Sequence, residues 1–286
     1  MMKKPNKKTV LIVSVLIILA IGIWMLWSNT TLEVNEYEIV NDRIPQGFDG
    51  FRIAQVSDLH NAEFGEGNSK LIQHLSQTEP DIIVLTGDLI DSRQTDIEIA
   101  LNFAQQAMQI SPVYYVSGNH EARVYEYEDL KMGLADAGVI VLENQKVVIT
   151  REGERITLIG VDDPSFQESY LFGDAEGVAK QAIETLQSES DGYTVLLSHR
   201  PELFDLYVDT EMDLVFSGHA HGGQFRLPFV GGLVAPNQGF FPKYDAGQYT
   251  EDNTTMIVSR GVGNSIIPIR FNNRPEIVLV TLRNMK

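Results

Sequence analysis

The 286-residue sequence predicts a layered α/β domain that follows one N-terminal membrane helix. Short apolar runs recur along the chain, and each leads into a polar loop and then a segment with helical periodicity. The composition agrees, because 43% hydrophobic and 21% charged residues are typical of a globular chain. Neither a fixed-period repeat nor a proline-rich linker interrupts the pattern. We therefore expect residues 1–28 to form the membrane segment and residues 29–286 to form one domain.

The N-terminal segment combines positive charge with a long apolar stretch. Four lysines lie within the first eight residues, and residues 10–27 carry no charge. A helix of this length is about 27 Å long, just enough to cross the hydrocarbon core of a bilayer. The lysines are expected in the cytoplasm, which places the domain outside. A cleaved signal peptide and a buried soluble helix are the alternatives, but the apolar stretch continues past Ala20 and Gly22, the small residues of a cleavage site.

Composition and charge exclude several classes of protein. The chain has no cysteine, which excludes a disulfide scaffold, an iron–sulfur cluster and thiol catalysis. After residue 28 it carries 39 acidic and 18 basic residues. Such an acidic body repels a phosphate backbone, so we expect no nucleic-acid partner.

The alternation of elements can be followed along the chain. Strands are predicted at residues 32–34, 37–40, 52–56, 81–85, 113–116, 194–197 and 213–216. Helices are predicted at residues 68–77, 96–109, 127–137 and 174–187. In the first of these helices, Leu71, Ile72 and Leu75 recur at three- and four-residue steps, as on an apolar helix face. Residues 227–249 are rich in Gly, Pro and Phe, and we expect a long loop there.

Side chains that bind metals follow five of the predicted strands, close to the point where each strand ends. They are Asp58, His60, Asp88, Asp91, Asn119, His120, His199, His219 and His221. Because the carboxyl ends of strands in α/β sheets line the ligand crevice, we expect these side chains at one edge. Imidazole, carboxylate and amide groups without sulfur suit Mn²⁺, Zn²⁺, Fe²⁺, Mg²⁺ or Ni²⁺. Two such ions about 3.5–4 Å apart would polarise a phosphoryl oxygen and deprotonate a bridging water.

The spacing of these residues sharpens the expectation. The pairs Asp58/His60 and His219/His221 are separated by one residue and should project alike from extended segments. Asp88 follows a glycine and has two oxygens that could bridge two ions. A single histidine at a strand end is usually structural, but five of them beside three aspartates are poorly explained by coincidence. For Asp91 a helix cap remains the alternative, and for Glu121 a first-turn helix acid.

The ordered motifs resemble those of the calcineurin-like metallophosphoesterase superfamily, and more narrowly its bacterial membrane-associated YkuE- and YaeI-like branch. The motifs are Asp58-x-His60, Gly87-Asp88-x-x-Asp91, Gly118-Asn119-His120-Glu121, His199 and Gly218-His219-x-His221, all between residues 51 and 225. The sequence departs from the branch at Ala220, where a threonine is usual, and at Ser92, where an arginine often stands. Both changes affect neighbours of the ligands and not the ligands themselves.

The resemblance implies a fold and a set of roles. The fold would be a two-sheet β-sandwich flanked by helices. His120 would protonate the leaving group as general acid, and Asp91 would support it. Asp88 would bridge two divalent ions. The remaining ligands would be Asp58, His60 and His221 for the first ion, and Asn119, His199 and His219 for the second.

Together these features predict a metal-dependent hydrolase held in the cell membrane by a single span, with its catalytic domain on the extracytoplasmic side. It would cleave a phosphodiester or pyrophosphate bond through a metal-bridging hydroxide. Because a membrane tether limits the search to the envelope, an envelope- or lipid-linked phosphate is the expected substrate. The alternative is a catalytically inactive protein that binds metal or phosphate on the same scaffold.

Overall fold

The computed structural model describes residues 6–188, 192–264 and 267–285, so Lys3 and Lys4 of the predicted basic end lie outside the described residues. The first helix, α1, spans Lys7–Thr30. Asn6 caps α1, because its side chain accepts a hydrogen bond from the backbone N–H of Lys8. Helix α1 is long and apolar enough to cross a membrane, and its apolar window is not buried against the rest of the chain. It is therefore a candidate membrane span, as predicted.

Within the described residues, five further α-helices and sixteen strands follow α1. The helices are α2 (Ser69–Gln77), α3 (Ile97–Ala107), α4 (Tyr127–Asp136), α5 (Ala175–Gln187) and α6 (Phe204–Asp209). The strands are β1 (Glu33–Asn41), β2 (Arg52–Val56), β3 (Ile82–Thr86), β4 (Val113–Val116), β5 (Ile140–Val141), β6 (Gln145–Arg151), β7 (Glu154–Gly160), β8 (Tyr193–Leu197), β9 (Leu214–Ser217), β10 (Arg226–Leu227), β11 (Gly231–Gly232), β12 (Val234–Ala235), β13 (Gly239–Phe240), β14 (Gly247–Glu251), β15 (Thr254–Val258) and β16 (Glu276–Asn284).

Two six-stranded sheets form the centre of the fold. Their strand orders are β1–β16–β2–β3–β4–β5 and β14–β15–β9–β8–β7–β6. Strands β2, β3, β4 and β5 are parallel to one another, as are β7, β8, β9 and β15. The antiparallel partners are β16 against β2, β6 against β7 and β14 against β15. The carboxyl ends of the parallel strands in each sheet therefore lie at one edge of that sheet.

The central strands β3, β4, β8 and β9 are buried along their whole length because both faces of each sheet are covered there. In β3, Val84 packs between the two sheets, while Ile83 and Leu85 face α2, α3 and α4. In the second sheet, Leu197 lies between the sheets and Leu196 packs toward α5 and α6. The fold is thus a sandwich of two sheets with helices on both outer faces, as the resemblance implied.

The second half of the chain departs from the predicted elements. Residues 227–249 were expected to be a loop, but they contain two short hairpins, β10–β11 and β12–β13, and the first residues of β14. The sequence prediction also missed α6 and the strands β5, β6, β7, β15 and β16. Two strands, β6 and β14, depart from the strand–polar loop–helix pattern because each leads directly into an antiparallel neighbour. β7 follows the pattern, because a polar loop and α5 come after it, but the prediction did not include it.

Candidate metal centre

The strand ends bring most of the predicted ligands into one buried cluster. Three sets have ligand atoms within 4.8 Å of one another: Asp58, His60, Asp88 and His221; His60, Asp91 and His120; and Asp88, His199 and His219. Asp88 belongs to the first and third sets, and His60 to the first and second. The structure therefore brings together eight of the nine predicted side chains through shared members.

The backbone at the pairs Asp58/His60 and His219/His221 is not extended as the sequence analysis expected. Left-handed φ values of 45–65° occur at Asp58, His60, Asp88, His219 and His221. Such φ values are uncommon for residues with a Cβ and cost of order 1–3 kcal/mol each. The prediction of extended segments was wrong because each strand ends just before its ligand, where the chain turns sharply. The turn directs both members of each pair into the cluster.

Two groups of donor atoms can be distinguished by their distances. In the first, the Nε2 atoms of His60 and His221 are 3.1 Å apart, and His221 Nε2 is 3.3 Å from Asp58 Oδ1. In the second, Nε2 of His199 is 3.1 Å from Nδ1 of His219. Asp88 Oδ2 joins the groups, at 3.6 Å from His60 Nε2 and 3.2 Å from His199 Nε2.

Burial and the charges of neighbouring side chains shift the pKa values of the cluster residues. Burial, with the Asp88 charge adding to it, raises the pKa of Asp58 to about 6 despite the opposing charge of His199. Burial lowers the pKa of His60 to about 3. For His199, burial favours the neutral ring, but the charge of Asp88 outweighs it and raises the pKa to about 10. In turn His199 holds the pKa of Asp88 below its usual range despite burial.

The side chains present fit a cation. The Nε2 atoms of His60 and His221 face each other and an oxygen of Asp58. Hydrogen bonds among these three groups do not satisfy all of their polar atoms well. The side-chain oxygen of Asn119 is buried and has no hydrogen-bond partner within the described part of the chain. Buried polar atoms of this kind are normally paired, with protein, water or a bound ion. Nitrogen and oxygen donors without sulfur are the donor set of a hard or borderline divalent ion.

His120 lies beside the first group, with its ring centroid 4.5 Å from that of His60. Its Nδ1 accepts a hydrogen bond from the backbone N–H of Ser92 at 2.9 Å. The neutral ring then carries its proton on Nε2. Ser92 Oγ lies 3.2 Å from Nδ1. Asp91 Oδ1 lies 3.8 Å from Nδ1, beyond hydrogen-bond distance but close enough for its negative charge to favour the doubly protonated ring. Asp91 itself is held by Arg93, whose Nε donates to Oδ1 at 3.0 Å.

Glu121 binds the backbone of the loops that carry the cluster residues. From its position directly after His120, the sequence analysis had offered an acid in the first turn of a helix as its alternative role. The side chain is fully buried. Its two oxygens accept hydrogen bonds from the backbone N–H groups of Gly118, Asp88, Leu89 and Ile90 at 2.8–3.3 Å. Burial and the Asp88 charge raise its pKa to about 7, against the effect of these donors. Glu121 therefore ties the loop after β3 to the loop after β4.

We expect Glu121→Gln to lower the free energy of unfolding by about 3 kcal/mol, because the amide NH₂ would face backbone donors that lose their acceptor. Thermal unfolding of the detergent-solubilised protein measures the change. The control is Glu126→Gln, at an exposed position just before α4, which should leave the midpoint unchanged. Equal thermal unfolding midpoints for the two variants would contradict the role of Glu121 in tying the two loops together.

Arg200 is a residue that the sequence analysis did not single out. It is almost fully buried and pairs with both oxygens of Asp163, through Nε at 2.5 Å and Nη2 at 2.8 Å. Its Nη1 lies 3.2 Å from Nε2 of His219 and orients that ring from behind. The sequence analysis did not detect the pairing of Arg200 with Asp163, because Asp163 follows β7, a strand that was not predicted.

The family model described as calcineurin-like phosphoesterase matches residues 51–223. The Bacillus subtilis (strain 168) protein named uncharacterized metallophosphoesterase YkuE is 30% identical over 258 residues, covering 88% of this chain and 86% of that protein. The Escherichia coli (strain K12) protein named phosphodiesterase YaeI is 30% identical over 242 residues, covering 81% and 82%.

One solved structure shows a similar fold. The protein TT1561 of Thermus thermophilus superposes with a TM-score of 0.51 at 16% identity, covering 74% of this chain and 90% of that one. The family match spans all of the residues that form the cluster, from Asp58 to His221. The chain belongs to the calcineurin-like phosphoesterase family, and it is a metal-dependent hydrolase of phosphoester bonds.

Proposed function

We propose that this protein is a membrane-anchored phosphoesterase that uses two divalent ions to cleave a phosphodiester or pyrophosphate bond. One observation carries the proposal: Asp88 lies between two groups of buried imidazoles, and its Oδ2 is within 3.6 Å of a ring nitrogen from each group. A carboxylate in that position can serve two ions at once, and paired ions suit the displacement of a phosphate ester.

The donor groups suggest how the ions divide between the ligands. Asp58, His60 and His221 would hold one ion, and Asn119, His199 and His219 the other, with Asp88 shared. Mn²⁺, Zn²⁺, Fe²⁺, Mg²⁺ and Ni²⁺ are the candidates. When bound, such ions polarise phosphoryl oxygens and lower the pKa of coordinated water.

The protein's own groups then orient the reaction and supply a proton. Backbone N–H groups fix both aspartates: that of His219 donates to Asp58 Oδ1 at 3.1 Å, and that of His120 donates to Asp88 Oδ1 at 2.8 Å. The His120 side chain would donate the Nε2 proton to the oxygen of the departing group. The negative charge of Asp91, 3.8 Å from Nδ1, would stabilise the protonated ring before transfer.

We further propose that residues 29–286 act as one metallophosphoesterase domain on the extracytoplasmic side of the cell membrane, with α1 as the single-pass anchor. Strands β1 and β16 lie outside the family match but complete the sheet that contains β2. An anchored enzyme of this kind encounters substrates of the envelope, so an envelope- or lipid-linked phosphate is the proposed substrate class.

Removal of metal should abolish activity. We expect chelation to reduce the turnover of bis-(p-nitrophenyl) phosphate by the full-length, detergent-solubilised protein to the uncatalysed rate. Addition of one of the five candidate ions should restore it, because the ions supply most of the electrostatic stabilisation. Metal-saturated chelator serves as the control. Full turnover in protein shown by mass spectrometry to be free of metal would refute the proposal.

The orientation can be tested with single cysteines, because the natural chain has none. We expect Met285→Cys, at an exposed site, to react with a membrane-impermeant maleimide in intact cells. Lys8→Cys, in the first turn of α1, should react only after the membrane is permeabilised. The opposite pattern would place the catalytic domain in the cytoplasm.

A further inference from the structure

The C-terminal end of α1 is attached to a segment close to the metal centre, which comprises residues 263–264 and 267–274. The Asn29 side chain donates to the carbonyl of Arg270 at 2.8 Å and accepts from its N–H at 2.7 Å. The ring of Trp24 meets that of Phe271 edge-on, with centroids 4.9 Å apart. The Arg274 guanidinium lies over the ring of Trp27 at 4.7 Å. These contacts fix the direction in which α1 leaves the domain.

Part of the same segment lies beside the apolar stretch of α1. A cleft of about 650 Å³ separates α1 from Pro268 and Ile269, and Ile18, Ile23 and Leu26 are among its lining residues. Ile18 precedes Trp27 by nine residues, or about 13 Å of helix. Apart from Asn29, the side chains that line the cleft are apolar. If α1 lies in a bilayer, Pro268 and Ile269 lie at the depth of its lipid.

Hydrogen bonds tie this segment to the metal ligands. The N–H of Gly263 donates to the carbonyl of Asp58 at 2.7 Å. The Asn273 side chain donates to the carbonyl of His221 at 2.7 Å. Gln224, three residues after His221, donates to the carbonyls of Ile267 and Ile269 at 2.7 and 2.8 Å. The depth of this segment in the membrane therefore sets the distance between the metal centre and the lipid.

Exposed apolar side chains are concentrated in the loops at this edge. Among the described residues outside α1, ten of the fifteen large hydrophobic side chains that are well exposed lie outside α-helices in the connections that begin at the carboxyl ends of β4, β7, β9 and β15. Phe229 is fully exposed, and Phe172 and Phe240 are more than 80% exposed. Such a concentration marks an interaction surface, whereas single exposed residues such as Val148 in β6 need no explanation.

We propose that this edge of the molecule is a membrane-docking face, on which residues 267–271 and the neighbouring apolar loops rest in the leaflet that α1 enters. Continuity with α1 identifies the partner as lipid, because a helix that spans the bilayer brings the segment bound to it to the membrane surface. The metal centre then faces the lipid headgroups, where membrane phosphates lie. This inference rests on the membrane anchoring proposed above.

Fluorophores on single cysteines test the proposal in the full-length protein. The protein is reconstituted into vesicles of phosphatidylcholine and phosphatidylglycerol, with or without nitroxide-labelled acyl chains that quench nearby fluorophores. The labelled variants are Ile17→Cys within α1, Ile269→Cys and Phe240→Cys on the docking face, and Val148→Cys as the matched control on β6. We expect lipid to quench the first three labels and leave the control unchanged.

The results separate the docking face from the anchor. If the label at Ile17 is quenched while those at Ile269 and Phe240 behave like that at Val148, the docking face is wrong and the anchor stands. If the label at Ile17 is not quenched, both are wrong. Turnover of a soluble diester by each variant shows that it is folded and tests the phosphoesterase activity separately from docking.

Discussion

Asp88→Asn should lower turnover by about a thousandfold or more, which corresponds to about 4 kcal/mol of transition-state stabilisation. The substitution preserves shape and leaves an oxygen that can still accept from the N–H of His120. It removes the negative charge that lies within 3.6 Å of His60 and 3.2 Å of His199. No other carboxylate in the described clusters belongs to both the His221 and the His219 groups.

Turnover of bis-(p-nitrophenyl) phosphate and the metal content of the purified protein measure the effect together. We expect the variant to retain fewer ions than the wild type. Asp129→Asn, at an exposed position on α4, is the matched control and should change neither quantity. If Asp88→Asn kept both ions and wild-type turnover, the assignment of Asp88 as the shared ligand would be wrong.

His120→Ala should lower kcat by about 10²–10⁴-fold while the metal content stays unchanged, because His120 is assigned to proton transfer and not to metal binding. The loss should depend on the substrate. An ester with an alcohol leaving group should suffer more than a p-nitrophenyl ester, because an alkoxide needs a proton to depart whereas p-nitrophenolate is stable. A difference between the two substrates would separate proton donation from a general disturbance of the site.

The control for His120→Ala is His74→Ala, which removes a partly exposed imidazole from α2, away from the cluster. Loss of metal in His120→Ala would instead assign His120 to the ion site, where it already lies within reach of His60 and Asp91. A wild-type protein that binds two ions but turns over neither substrate would favour the inactive binding protein considered from the sequence.

Five of the parallel strands and the predicted ligands could be read from the sequence because both signals are local. Strands β2, β3, β4, β8 and β9 are apolar runs covered on both faces, and each leads into a polar loop. The ligand types at those loops needed only their order and their distance from a strand end. The α1 helix was equally readable, because its length and apolarity are properties of one continuous segment.

The tertiary structure alone decided the contacts between residues distant in sequence. Glu121 reaches across 33 residues to the N–H of Asp88, and Arg200 reaches back 37 residues to Asp163 to orient His219. Asn29 and Arg270 are 241 residues apart, so no periodicity relates the anchor to the metal centre. The left-handed turns at the ligands also depend on tertiary structure. Local conformational preference disfavours positive φ values at these residues, and the surrounding packing offsets the energetic cost.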